Sequence, residues 1–259
     1  MIPRIIHYCW FSGDPYPAEV QQCIDSWHQY MPDWEFRMWD LDSISTLDSV
    51  WLKECISVRK WAFAADYVRL YAIARYGGIY LDTDCMLRRS LTPFLCHQAF
   101  IGREWYIHID CHSTERYLTS HCFGAEPGHP FILRCLEYYS NRHFIQSDDQ
   151  TLADRLRFDQ TLLPFIQSEL AKDWGYDPRP SQSQERQDLR DGLTIYPHRY
   201  FNYYYDNPDA CCSHLALGGW CDYKQKKQSV TLGYRIRYHL DDWLRRIMDR
   251  LGYVLVKRT

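Results

Sequence analysis

Apolar and polar positions along this chain change period repeatedly, and the changes mark out alternating strands and helices. The run Arg4–Trp10 predicts a strand, and the proline-punctuated stretch Ser12–Pro17 leads into a predicted helix over Ala18–Tyr30. Trp34–Trp39 alternates with period two and predicts a second strand, followed by a loop over Asp40–Thr46. From Lys60 to Tyr76, Phe63, Tyr67, Leu70, Ile73 and Ala74 recur at helical spacing, and Gly77 supplies a C-terminal cap. Short apolar strands follow at Ile79–Asp82 and near Ala99–Gly102. Helices are predicted over 130–143 and about 160–171, then a polar loop over Pro178–Asp188 and a strand at Leu193–Tyr196. Such βα alternation implies an α/β class and a single Rossmann-like domain over residues 1–222. The last periodic stretch is different. Between Tyr234 and Val256, Ile236, Leu240, Trp243, Leu244, Ile247, Leu251 and Val254 fall at helical spacing with arginines between them, so residues 223–259 read as a separate basic amphipathic segment.

Composition adds three constraints. With 259 residues and 46% hydrophobic content the chain can bury one large α/β core. No run of about 20 apolar residues occurs, so no transmembrane helix is expected, and the first residues read as a strand and not as a signal peptide. The eleven cysteines lack Cys-x-x-Cys spacing, and Cys211–Cys212 are adjacent; reduced thiols in a cytoplasmic protein are expected, without a zinc site. Charge is unevenly spread. Residues 224–259 carry a net +7 and the remainder −10, for an overall −3. A basic amphipathic helix with Trp and Tyr suits an anionic membrane surface, and equally a helix packed on the domain with a solvated basic face. No nucleic-acid motif accompanies it, so nucleic acid is not an expected partner.

The candidate chemistry lies between Asp66 and Asp84. Strand Ile79–Leu81 runs out of Gly77–Gly78 and ends in Asp82 and Asp84, one residue apart. If the strand continues that far, both carboxylates point to one face at its carboxyl end, where open α/β sheets bind ligands. Two such carboxylates repel unless a cation lies between them, and hard oxygen ligands in small number suit Mn²⁺ or Mg²⁺ shared with a substrate phosphate. Asp66 and Arg69 are three apart on the preceding helix and therefore neighbours on its surface. They read either as an ordinary ion pair or as a carboxylate for sugar hydroxyls beside a guanidinium for phosphate or for the aspartates.

Ala65-Asp66-x-x-Arg69 followed by Gly77-Gly78-Ile79-Tyr80-Leu81-Asp82-x-Asp84 resembles the core of glycosyltransferase family 32, the DXD-containing sugar-binding-region enzymes. The resemblance extends to Ile2–Gly13, Gly124–Phe131, Ile195–Pro197 with Tyr200–Phe201, His214, and Gly218-Gly219-Trp220. It implies a GT-A fold and a retaining, metal-dependent transfer of a hexose or N-acetylhexosamine. The implied donor is a nucleoside-diphosphate sugar, with uridine diphosphate preferred and guanosine diphosphate-mannose as the rival. The implied acceptor is a saccharide or a lipid-linked oligosaccharide in surface polysaccharide (capsule or lipopolysaccharide) synthesis, at the cytoplasmic face of a membrane. The resemblance also implies roles: Trp10 stacking on the donor base, Tyr80 near the donor, Asp66, Arg69 and Asp82 binding the donor, Trp220 over the diphosphate, and His214 completing a metal shell with Asp82 and Asp84. Asp159 and Gln160 are candidates at the reacting face, although the segment Phe158–Leu162 departs from the sequence many relatives carry there; helix capping by Asp159 is the competing reading. A metal-dependent phosphohydrolase built on the same carboxylates is the alternative from another class.

Overall fold

The computed structural model describes residues 1–109, 114–179, 185–202 and 209–217, together with the backbone of 256–257. In chain order the elements are β1 (Ile5–Cys9), α1 (Ala18–Tyr30), β2 (Glu35–Trp39), α2 (Val50–Ser57), α3 (Trp61–Tyr76), β3 (Gly78–Leu81), β4 (Cys85–Leu87), β5 (Ala99–Ile109) and β6 (Thr114–Ala125). After them come α4 (Pro130–Glu137), the single helical turn α5 (Asp154–Arg157), α6 (Leu163–Ala171), β7 (Gln187–Asp188), β8 (Leu193–Tyr196), β9 (Cys212–His214) and β10 (Val256–Lys257). The α/β class expected from the sequence is the class observed.

The central sheet has the order β2-β1-β3-β6-β5-β8-β7, with β10 also paired to β5. β1 is parallel to β2 and β3, whereas β6 is antiparallel to both β3 and β5, so the sheet is mixed. Its first half is Rossmann-like. β1 lies between β2 and β3, with α1 connecting on one face and α3 on the other, which makes the carboxyl ends of β1 and β3 a topological switch point. Strand β3 is buried along its whole length. Tyr80 enters the core beneath α2, α3, α4 and α6, while Ile79 and Leu81 enter a second core with Trp27 of α1, Phe94 and Phe201. Both glycines of the turn into β3 are required. Gly77 ends α3 at φ 65°, and Gly78 has φ 107°, where a Cβ would stand 2.6 Å from the Ile5 carbonyl oxygen. Buried His7 clasps this turn through Nε2, 2.8 Å from the Gly77 carbonyl, and accepts from Trp39 Nε1 through Nδ1 at 3.2 Å. Burial lowers its pKa to about 4, which keeps the ring neutral for this pair of bonds.

Several expectations need correcting. β3 stops at Leu81, so Asp82 and Asp84 lie in a turn and not on a continuing strand. The helix expected over 130–143 ends at Glu137, and the chain turns at Asn141 with φ 58°. The helix expected from residue 160 begins at Leu163, with Pro164 in its first turn, where a missing N–H costs nothing. Gln187–Asp188, placed in a loop, forms a strand against β8. Residues 223–255 and Gly218-Gly219-Trp220 lie outside the described residues; Val256, the end of the expected tail helix, is in β10, parallel to β5.

Candidate functional site

The site forms where β3 runs into the Asp82–Cys85 turn. Cys85 N–H donates to the Asp82 carbonyl at 3.0 Å, closing a tight turn that lets both carboxylates face one point, the outcome strand alternation would otherwise supply. Three contacts fix this turn. Asp82 N–H donates to the His121 carbonyl of β6 at 2.9 Å, Trp27 Nε1 of α1 donates to the Cys85 carbonyl at 2.7 Å, and β4 pairs with β9 so that Cys85 stands opposite His214. That pairing delivers His214, far away in sequence, to the aspartates. One oxygen each of Asp82 and Asp84 and a ring nitrogen of His214 lie within 4.8 Å of one another. Asp84 Oδ1 is 3.2 Å from His214 Nε2, and Oδ2 accepts from Leu217 N–H at 2.9 Å.

The electrostatics follow from this packing. Burial opposes the Asp84 charge, but the hydrogen bond and charge of His214, with the Leu217 amide, bring its pKa down to about 2. Burial likewise opposes the His214 charge, yet the hydrogen bond and charge of Asp84, aided by Asp82 and Glu104, raise it to about 9. The imidazolium thus occupies the place where two carboxylates call for a cation. Two carboxylates and one imidazole are a donor set that fits a divalent ion of the Mn²⁺ or Mg²⁺ kind, with the His214 proton displaced on binding.

A second cluster joins the first through Arg69. Its guanidinium is 3.2 Å from Asp66 and 3.3 Å from Asp82, donates from Nη1 to the Ser120 carbonyl at 2.7 Å, and lies 4.5 Å above the Tyr80 ring. The Tyr80 hydroxyl donates to Asp82 Oδ1 at 3.0 Å; the ring is buried, so Tyr80 orients Asp82 from the core side. One guanidinium shared between two carboxylates leaves the more buried one short of charge. Burial raises Asp66 to about 7, against the pull of Arg69, and the Asp82 charge adds to the rise. Asp66 also accepts the amide of Leu163, an orphan donor in the first turn of α6. The Asp66–Arg69 pair is therefore buried and shared, unlike a surface ion pair.

The remaining predicted residues fall as follows. Trp10 is half-buried just past β1, with Nε1 donating to the Asp14 carbonyl at 2.7 Å and its ring 5.0 Å from Tyr16, edge to face. It stands at the switch point, one residue from Cys9, on which the charges of Arg69, Asp82 and Asp66 act. Asp159 does not cap α6. It accepts from Thr161 N and Oγ1 at 3.1 and 2.6 Å and pairs with Arg142 at 3.2 Å. Gln160 is exposed in the same turn, which the Leu163–Asp66 bond ties to the site. Trp220 lies outside the described residues. Two further groups face the centre without having been singled out by any motif. The His121 ring stacks on His214 at 4.2 Å. Burial raises Glu104 to about 7 while the charges of His214 and Asp82 act on it.

Comparison with known proteins finds similarity over part of the chain. Residues 17–101 match the model of the glycosyltransferase sugar-binding region containing a DXD motif. Inositol phosphoceramide mannosyltransferase 3 of Schizosaccharomyces pombe is 29% identical over 154 residues, 55% of this chain and 40% of that protein. Mannosyl phosphorylinositol ceramide synthase CSH1 of Saccharomyces cerevisiae is 26% identical over 56% of this chain and 38% of that protein. The human alpha-1,4-N-acetylglucosaminyltransferase is 34% identical over 31% of this chain and 20% of its own length. The chain thus spans about two fifths of the length of the first two relatives. Among solved structures, the PaToxG glycosyltransferase superposes with TM-score 0.43 at 16% identity, covering 66% of this chain and 69% of that chain. The galactosyltransferase LgtC superposes with TM-score 0.38 at 13% identity, over 90% and 99%. The match to the glycosyltransferase sugar-binding region containing a DXD motif, residues 17–101, holds Asp66, Arg69, Asp82 and Asp84.

Proposed function

We propose that this chain is a metal-dependent glycosyltransferase that moves a hexose or N-acetylhexosamine from a nucleoside-diphosphate sugar to a saccharide acceptor with retention of anomeric configuration. The observation that carries the reading is the convergence of Asp82, Asp84 and His214 beside the Arg69-linked Asp66, inside the DXD family match. Asp82, Asp84 and His214 would hold a divalent ion, which would supply positive charge toward a departing diphosphate. The chain's own residues do the rest. Tyr80 and Arg69 hold the Asp82 carboxylate from behind and leave its outer oxygen for ligation. Asp66, buried beside Arg69, accepts from donor-sugar hydroxyls when ionised and donates when protonated. Trp10 offers a ring at the switch point for the donor base. Asp159 and Gln160, shortly before Leu163, whose amide bonds Asp66, are the candidates for the group that retention requires at the reacting face.

Uridine diphosphate is the preferred donor nucleotide. Guanosine diphosphate-mannose is the second reading, favoured by the names of the two yeast relatives, which are mannosyl transfer enzymes. The acceptor reading is a lipid-linked saccharide in surface polysaccharide assembly, with the +7 tail on an anionic lipid surface. The test is a panel of nucleotide sugars incubated with Mn²⁺ or chelator, reading free nucleoside diphosphate, with Asp84→Ala alongside. Release from one donor, at least about 10²-fold lower in the variant and with chelator, is expected. Metal-dependent release of inorganic phosphate in place of nucleoside diphosphate would overturn the transferase reading in favour of a phosphohydrolase on the same carboxylates.

A further inference from the structure

His214 sits on β9, a strand of three residues paired only with the three residues of β4 among the described elements, and its side chain is 26% exposed. Two short strands are a poor foundation for a ligand that must be held in one orientation. The rigid element nearby is β6, twelve residues long, with strands paired on both sides. Its residue His121 reaches both arms of the site. Through its backbone, the His121 carbonyl accepts Asp82 N–H at 2.9 Å and the Cys85 thiol at 3.5 Å, and the Ser120 carbonyl before it accepts Arg69 at 2.7 Å. Through its side chain, the His121 ring lies 4.2 Å from the His214 ring at an interplanar angle of 22°. The His121 ring is itself fixed, being 2% exposed and donating from Nε2 to the Phe201 carbonyl at 3.0 Å.

We infer that His121 is a positioning residue for the metal centre: its ring is the floor that holds the His214 imidazole in register with Asp82 and Asp84. The inference rests on the metal-site reading above. It assigns the load to the ring stack, because the backbone contacts of residue 121 survive any side-chain substitution. Outer contacts of this kind, when removed, cost about 10–100-fold in metal affinity.

The experiment reads Mn²⁺ binding directly, from the loss of the free-ion EPR signal on titration into protein without any nucleotide sugar. Four proteins are compared: wild type, His121→Ala, His121→Phe and Thr119→Ala. Thr119 is a neighbouring buried residue of the same strand whose hydroxyl bonds the Cys122 carbonyl. The expected order is unchanged affinity for Thr119→Ala, a small loss for His121→Phe, which keeps a ring over His214, and a loss of about 10–100-fold for His121→Ala. Equal affinity of His121→Ala and wild type would overturn the inference and leave the metal site standing. Equal losses in His121→Phe and His121→Ala would overturn the ring stack as the cause, and a matching loss in Thr119→Ala would trace the effect to a loosened strand. No Mn²⁺ binding by wild type would instead overturn the metal-site reading beneath it. Thermal unfolding of each variant identifies any that fails to fold, and His121→Phe then decides the question.

Discussion

Asp66 is the residue whose charge the fold holds least comfortably. It is buried, shares its guanidinium with Asp82, and has a pKa raised to about 7. The consequence for stability has a definite sign. In an unfolded chain an aspartate ionises near pH 4, so between about pH 4 and 7 the unfolded state has released a proton that the folded state retains. The stabilisation from this residue is fully present below pH 4 and is lost as pH rises to about 7. Urea denaturation at a series of pH values should therefore show wild type losing stability across that window relative to Asp66→Asn, with a ceiling of about 4 kcal/mol for a shift of this size. Parallel pH profiles for the two proteins would remove the raised pKa as a factor in stability. Residue-scale chemistry was legible where it was local. Asp82, Asp84, Asp66 and Arg69 fall within nineteen residues, and their spacing alone pointed to a carboxylate pair and a helix-surface ion pair. His121 and Glu104 were not legible, because a long strand hairpin, and not any motif, carries them to the centre. His214 needed the family resemblance, since a lone histidine in a loop-rich segment has no periodicity to interpret.

At the scale of elements, hydrophobic period located α1, α3, β1, β2, β3 and β8 within a residue or two, because each places apolar side chains against the core at the spacing of its own geometry. It missed α2, β4, β6, α5, β7, β9 and β10. The part of β6 that continues past the carboxyl end of β3, Thr-Glu-Arg-Tyr-Leu-Thr-Ser-His, is largely polar in sequence, so no strict apolar alternation marks it as a strand. The turn from α3 into β3 offers a sharp test of how tightly elements set the site. Gly78→Ala must place a Cβ 2.6 Å from the Ile5 carbonyl at a φ of 107°, combining backbone strain with a clash against β1. Gly13→Ala also carries a positive φ, 71°, at the edge of the left-handed region and with nothing within 4 Å. Denaturant titration should find about 3 kcal/mol lost for Gly78→Ala and about 1 kcal/mol for Gly13→Ala. Equal losses would mean that strain alone, and not the approach of β1 to β3, fixes this turn.

At the scale of the whole molecule, the asymmetry of charge is the feature the catalytic geometry does not absorb. A body at −10 and a tail at +7 repel and attract the same anionic surface, so any lipid contact must be oriented with the tail toward the membrane. The end of the chain constrains how this is tested. Val256–Lys257 pairs in parallel with Ile107–His108 of β5, so deleting the tail would also remove a strand from the central sheet. Substitution separates the two effects. Arg245, Arg246 and Arg250 lie within one periodic stretch of the tail sequence and outside β10. With about 1 kcal/mol contributed by each basic residue near an anionic surface, changing all three to Gln should weaken binding to phosphatidylserine-containing vesicles by roughly 10²-fold in co-sedimentation. Wild-type binding should fall steeply with added salt and vanish on purely zwitterionic vesicles, because screening acts within about 8–10 Å at physiological ionic strength. Release of nucleoside diphosphate from a soluble donor should be unaffected by the triple substitution, since the metal and donor clusters described above are built from other residues. Vesicle binding that survives both the substitution and high salt would assign the basic face to packing on the domain, and would leave the acceptor without an electrostatic reason to be membrane-borne.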